Sequence, residues 1–270
     1  MARLSLINNI NDNIVNVDRS LDQDLLLDLS KYSEERITLN ISEGSFDLLI
    51  IPTANKEILI EQSSYSSLKI GIVGQGDISN FKISANLSEN STIDTYFADF
   101  SQGSNHTIIT INLNGFESRA NWHLASLSSQ NDNKEFEVSI YHNSPKTYAQ
   151  SDNYGVCKNE GRLVFSGTSK IQNKSIKSKT YQNAKIMVFD RLSNATAKPI
   201  LKIDENDIEA SHAAVVGKIN DDHLFYLTSR GISEKEAKEL ITYGYLKPIL
   251  VGFNDQEIID NINNLIEGRM

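Results

Sequence analysis

The sequence is poor in most of the residues that announce a chemistry. It has a single cysteine, Cys157, in 270 residues, so no disulfide can form within the chain and no cage of several thiolates can hold a metal. A basic surplus is missing too: the net charge of −9 speaks against general nucleic-acid binding. No apolar run approaches the roughly 20 residues needed to cross a bilayer. The opening residues, Met1 to Asn9, lack the long apolar core and small-residue cleavage site of a signal peptide. Neither a G-x-x-x-x-G-K-[ST] nor a G-x-G-x-x-G loop occurs. Gly71-Ile72-Val73-Gly74-Gln75-Gly76 is glycine-rich, but no helix follows it, so it reads as a turn. ATP hydrolysis by this chain and a membrane partner are therefore not expected, and a reduced, cytoplasmic setting is. One tryptophan and 8% aromatics leave no evident surface for stacking sugars.

What is present is a strand pattern. From about residue 35 to 230, short alternating apolar segments are separated by Asn, Ser, Asp and Gly. Ile37-Thr38-Leu39-Asn40-Ile41, Thr107-Ile108-Ile109-Thr110-Ile111 and Phe136-Glu137-Val138-Ser139-Ile140-Tyr141 are examples. Period-two alternation with β-branched and aromatic residues is the signature of strands. Ile14-Val15-Asn16-Val17 fits it, and Leu25-Leu26-Leu27-Asp28-Leu29 reads as a strand or a buried turn. Leu224-Phe225-Tyr226-Leu227 reads as the last strand. Sandwich, barrel and solenoid all satisfy the pattern, and no fixed repeat length emerges. Having only four prolines, with abundant Asn and Ser where short side chains can bond a turning backbone, leans toward a solenoid. Between Lys146 and Lys198, ten Lys or Arg stand against three Asp or Glu, while the first third is acidic. The plain reading is a solvated face, and the alternative is a docking patch for an acidic partner.

The tail changes character. Ser233-Glu234-Lys235-Glu236 is a capping box, and Ala237, Leu240, Ile241, Gly244 and Tyr245 continue as a helical apolar face that stops before Pro248. A second helix is expected from Asn254, with the stripe Ile258, Ile259, Ile262, Leu265 and Ile266. The two helices predict a hairpin that packs on the end of the β body or docks a partner. Ile266-Glu267-Gly268-Arg269 coincides with a protease recognition tetrapeptide and reads as the native helix end.

Few residues stand out for chemistry. His212 is a lone histidine among small residues on a strand, which by itself is a packed or exposed side chain as readily as a ligand. Cys157 reads as a small apolar residue, although nearby lysines would lower a thiol pKa if they were spatial neighbours. His106, His123 and His223 lack metal-ligand spacing. His123 beside Trp122 reads as packing, and His142 before the Ser144-Pro145 turn as structural. Asp204, Glu205 and Asp207 are the carboxylates a β-helical polysaccharide-active enzyme would need. They fall in a turn and read as solvated corner residues.

Six fragments in order carry a resemblance. They are Tyr141-His142-Asn143-Ser144-Pro145-Lys146-Thr147, Gly161-Arg162-Leu163-Val164-Phe165-Ser166-Gly167 and Gln182-Asn183-Ala184-Lys185-Ile186-Met187. Lys198-Pro199-Ile200-Leu201-Lys202-Ile203, Ser211-His212-Ala213-Ala214-Val215-Val216-Gly217 and Leu224-Phe225-Tyr226-Leu227-Thr228-Ser229-Arg230-Gly231-Ile232 complete the set. Over residues 140 to 250, and more weakly from about 90, the chain resembles the SufB/SufD family of iron–sulfur cluster assembly proteins, SufD most of all.

The resemblance implies a right-handed parallel β-helix over 1–230 with a short helical subdomain over 231–270. It implies a non-catalytic scaffold that pairs with a SufB-like subunit; the alternative reading is a homodimer of this chain as the sole scaffold, a dimer that also fits the chain in isolation. It also implies a SufC-like ATPase docked on Arg230 to Tyr245, with Arg230, Gly231, Ile232, Ala237, Leu240, Ile241 and Tyr245 as contacts. In the family the histidine matching His212 lies at the SufB–SufD interface, where a nascent cluster is held. His212 is thus the candidate cluster and metal ligand, since neutral imidazole suits iron. No tightly bound cofactor is implied, only a transient cluster shared with a partner. Two departures matter. Many SufD chains place a cysteine two residues before this histidine, where Ala210 stands here. SufB chains carry an acidic neighbour, where Ser211 and Ala213 stand here. Most cluster ligands are then expected from the partner. The family's SufD proteins also carry an N-terminal helical domain, expected to be missing or reduced here because the strand pattern begins almost at once.

Overall fold

In a computed structural model, which describes residues 5–7, 13–18 and 24–270, the alternating segments wind into a parallel β-solenoid. Successive strands fall alternately into a nine-stranded and an eight-stranded sheet, so each coil gives one strand to each. Alternation decides what lies between the sheets. In the strand Arg119–Ser129, Ala120, Trp122 and Leu124 face inward and are buried, while Asn121 and His123 face outward. Phe97, Trp122, Phe136 and Phe165 meet edge to face in the interior, the arrangement ring quadrupoles favour.

The coils are not of equal length, which is why no repeat period shows in the sequence. Along the inward row, Leu48 pairs with Ile70 at an interval of 22 residues and Ile70 with Thr95 at 25. Thr95 pairs with Trp122 at 27, Trp122 with Ser151 at 29 and Ser151 with Gln182 at 31. The solenoid widens toward its C-terminal end.

Its corners are nonetheless built alike. The hydroxyls of Ser66, Ser91 and Ser118 donate to the carbonyl three residues back at 2.6, 2.7 and 2.8 Å. Asn55, Asn80, Asn90 and Asn159 take positive φ at turns, a conformation asparagine tolerates better than most residues. On the outer face of the eight-stranded sheet, Asn40 donates to Asn16 and Asn112 to Asn86, both at 2.9 Å. Asn and Ser abundance is thus the chemistry of stacked corners and of a polar outer face.

An ion pair is fully buried between the sheets. Lys134 faces inward from Asn133–His142, and its Nζ donates to Asp99 Oδ2 at 2.7 Å, with both side chains fully buried. Ser126 Oγ donates to the same oxygen at 2.8 Å. Burial pushes the Lys134 ammonium below its usual pKa, and Asp99 opposes that shift.

The β body ends at Lys218, earlier than the 230 expected, because Leu224 to Leu227 are helical rather than a strand. They lie in α1 (Asp221–Ser229). Asn220 caps it, its side chain accepting from the backbone amides of Asp222 and His223, and Asp221 and Asp222 sit at the positive end of the helix dipole. Next come α2 (Glu234–Leu246), with the expected capping box, a 3-10 turn Lys247–Gly252 and α3 (Gln256–Glu267). Asp255 rather than Asn254 caps α3; Asn254 instead donates to Asp47 at 2.8 Å and accepts from Lys69 at 3.0 Å.

The hairpin does not cover the end of the solenoid. It lies back along the outer face of the nine-stranded sheet, which is apolar there. Leu246, Ile249, Phe253, Ile262 and Ile266 pack with Leu49, Val73, Ala98, Ala125, Leu127 and Val156 in a second core. Arg269 pins the far end: its buried guanidinium donates to Asp132 and to the Ser101 carbonyl. The Ile266–Arg269 tetrapeptide is therefore an integrated helix end. Gly252 is packed on Tyr96 so closely that a Cβ there would lie 2.1 Å from Tyr96 Cγ. Gly252→Ala should overpack this seam by about 1–3 kcal/mol, read as a lower thermal midpoint with the interior strands still protected from hydrogen exchange.

Candidate functional site

The solenoid has an open end. Its last two strands, Asn194–Ile203 and Glu209–Lys218, are the terminal strands of the two sheets, each paired on one side only among the described residues. Their inward rows continue the core rows. Ala195, Ala197, Pro199, Leu201 and Ile203 register with Leu163, Phe165, Gly167, Ser169 and Ile171. Ala210, His212, Ala214 and Val216 register with Thr180, Gln182, Ala184 and Ile186. Those partners lie in the interior, but among the described residues nothing stacks on the last coil. Ile203 and Val216 therefore keep 39% and 45% of their surface exposed although they sit at core positions. Val215 and Ile200, on the outward faces, are exposed as well. Apolar side chains beside two rows of unpaired backbone groups form a surface suited to another chain. Pro199 suits an edge strand, where a missing N–H costs least.

His212 stands on this inward row, exposed, one coil above Gln182. Gln182 donates to Ser169 Oγ at 2.6 Å, while its buried Oε1 has no partner. Among the described residues no group of three or more His, Cys, Asp or Glu is placed to hold a metal ion, so His212 belongs to no such cluster there.

The other candidates separate cleanly. Cys157 is inside the strand Tyr148–Lys158 and is fully buried in the main core, as a small apolar residue would be. Burial pushes its thiol up to about 11, so neighbouring lysines do not activate it. His106 pairs with Glu137 at 2.8 Å on the surface, and His223 is exposed on α1. His123 does not pack with Trp122, which faces the opposite side of the sheet; it stacks on Tyr96, ring centroids 4.6 Å apart, beneath the helical layer. Asp204, Glu205 and Asp207 lie in the exposed turn between the last two strands, with Glu205 accepting from the Lys174 amide at 3.0 Å. In the basic stretch Lys179 pairs with Glu209 and Lys170 with Asp204, while Lys158 is buried and donates to the Met270 carbonyl.

Among the residues expected to touch an ATPase, Arg230, Gly231 and Leu240 are exposed, and Ile232, Ile241 and Tyr245 are half-buried. Ala237 is fully buried against the chain itself and presents nothing to a partner. Gly231, at φ 90°, ends α1 in the left-handed conformation that glycine adopts without cost. The sequence did not point to Phe225 and Tyr226, 74% and 54% exposed on α1, because their run read as a strand.

His142 is a structural side chain, as expected. It is fully buried, its Nδ1 is 2.8 Å from Thr147 Oγ1, and its Nε2 is without a partner. Burial lowers its pKa from 6.5 to about 4. The unfolded chain takes up this proton near 6.5, and the folded chain refuses it until about 4, so stability falls as pH drops through that window. The loss should reach about 3 kcal/mol at the acid end. Urea midpoints of the wild type and His142→Leu, compared at neutral pH and near pH 5, should show the variant less acid-sensitive.

A family model described as SUF system FeS cluster assembly, SufBD core domain, matches residues 52–245. The chain belongs to the SufB/SufD family. Similar proteins within it include the iron–sulfur cluster assembly protein SufD of Bacillus subtilis, 34% identical over 117 residues, covering 43% of this chain and 27% of that protein. SufD of Escherichia coli is 26% identical over 160 residues, covering 58% and 38% respectively. A SufBD family protein of Staphylococcus aureus is 30% identical over 109 residues, covering 40% and 23%. The matches thus span well under half the length of these relatives. The SufBD core match takes in the open coil, α1 and nearly all of α2, but not the 3-10 turn or α3. No helix among the described residues is long and apolar enough to cross a membrane.

Proposed function

We propose that this SufD-like chain is a non-catalytic scaffold subunit, pairing with a SufB-like subunit through the open final coil and docking a SufC-like ATPase on its helical segment. The observation that carries this reading is the last coil: core-type residues exposed at 39% to 45%, two unpaired strand edges and His212 between them. A second solenoid end placed there would extend both sheets and cover the inward row. It would also bring a partner's side chains to His212, which stands in no metal-holding cluster among the described residues. The cluster is then cargo held transiently between subunits in the cytoplasm, and His212 supplies one neutral imidazole. Docking of the ATPase is supported by α1, whose Phe225 and Tyr226 are exposed with Arg230 5.0 Å over the Tyr226 ring, and by Leu240 on α2.

The same edges also permit a second copy of this chain to pair there, so a homodimer in isolation is compatible with the heterodimer. Size-exclusion chromatography with light scattering on a mixture with SufB-like and SufC-like proteins of the same genome tests the reading. A stable complex containing all three is expected, with His212→Ala still assembling but impaired in cluster formation. A chain that ignores both partners would leave the family fold without the scaffold role.

A further inference from the structure

The helical layer does not seal onto the nine-stranded sheet everywhere. Between them lies a cavity of about 310 Å³, at the small end of ligand-sized pockets. From the sheet it is lined by Tyr96, His123, Asp152 and Tyr154, and from the layer by Tyr245 and Val251, with a few aliphatic neighbours. Four rings stand in its wall beside six aliphatic side chains. His123 stacks on Tyr96 with planes 16° apart, and Tyr154 meets Tyr245 edge to face at 5.6 Å, making a corner of two phenol rings.

Charge in the lining comes from one residue. Asp152 is held in place by two donors, Asn183 Nδ2 to Oδ1 at 2.8 Å and Gln150 Nε2 to Oδ2 at 2.6 Å. Each carboxylate oxygen keeps a second lone pair for a ligand. His123 Nδ1 is 3.7 Å from Asp152, beyond hydrogen-bond distance, and burial lowers the His123 pKa, so the ring does not neutralise the carboxylate. The chain's own ammonium groups stay outside the lining: Lys69 and Lys185 sit over the Tyr96 and Tyr154 rings, 5.9 and 5.6 Å from their centroids. Those ring faces already attract cations.

An aromatic hollow with one oriented carboxylate selects positive charge on a flat or apolar body. We infer that this cavity binds a small organic cation, an amidinium or ammonium, with its charge on Asp152 and its body against Tyr154 and Tyr245. The site owes part of its wall to residues after Tyr245, beyond the SufBD core match, and it is independent of the scaffold reading.

Benzamidine is the probe, with benzamide and benzoate as neutral and anionic controls of the same shape, in titration calorimetry and NMR on the full chain. Benzamidine should bind at least about tenfold more tightly than either control. Asp152→Asn should weaken it about tenfold or more, and Lys185→Ala should strengthen it by removing a competing charge. Val251→Trp should block the mouth without harming the fold, since Val251 is 73% exposed. Benzoate or benzamide binding as well as benzamidine, binding indifferent to both Asp152→Asn and Val251→Trp, or no binding by any probe would each overturn the assignment.

Discussion

Asp99→Asn should lower the unfolding free energy by about 3–5 kcal/mol, the cost of leaving a buried ammonium without its counter-charge. Lys134 has nowhere to go: its side chain is fully buried, and its Nζ is 2.7 Å from Asp99. Asp99 also accepts from Ser101 Oγ at 2.5 Å and Ser126 Oγ at 2.8 Å, so one substitution loosens a whole corner. Replacing both charged partners, Asp99→Asn with Lys134→Met, should recover much of the loss, because no bare charge remains inside. Chemical denaturation of the two variants measures the difference. A single variant within about 0.5 kcal/mol of wild type would mean that the pair is not the buried contact described.

Val216→Glu should weaken pairing with a SufB-like chain by about 10²–10³-fold while leaving the isolated chain as stable as before. Val216 occupies an inward, core-type position but is 45% exposed, so a carboxylate there is solvated in the monomer. On pairing it would be buried without a partner. Binding titrations and a melting curve on the same protein separate the two effects. Unchanged affinity would remove the last coil from the interface.

Much of the fold was legible because alternation is a local property. Ile37 to Ile41, Phe136 to Tyr141 and their like declared strands, and Ser233 to Glu236 declared the start of α2. The solenoid was not legible from periodicity, because its coils grow from 22 to 31 residues along one row and no constant repeat can appear. Only the family resemblance decided between solenoid and sandwich. Leu224 to Leu227 misled because an aromatic run looks like a strand, although Asn220-Asp221-Asp222 before it is a helix start.

At the site, His212 could be singled out by resemblance, but its exposure could not. Whether a core-type row ends in solvent depends on what stacks above it, and no local pattern encodes that. The hairpin's resting place on the sheet flank was hidden for a similar reason. Residues such as Val73, Ala98 and Ala125 look like ordinary strand residues until their outward direction is known.

The most direct measurement of the central claim is hydrogen exchange on this chain with and without a SufB-like partner. New protection should concentrate in Asn194–Ile203 and Glu209–Lys218, whose edge amides gain ladder partners. Protection confined to the helical layer or the outer sheet faces, with the last two strands still exchanging freely, would contradict it.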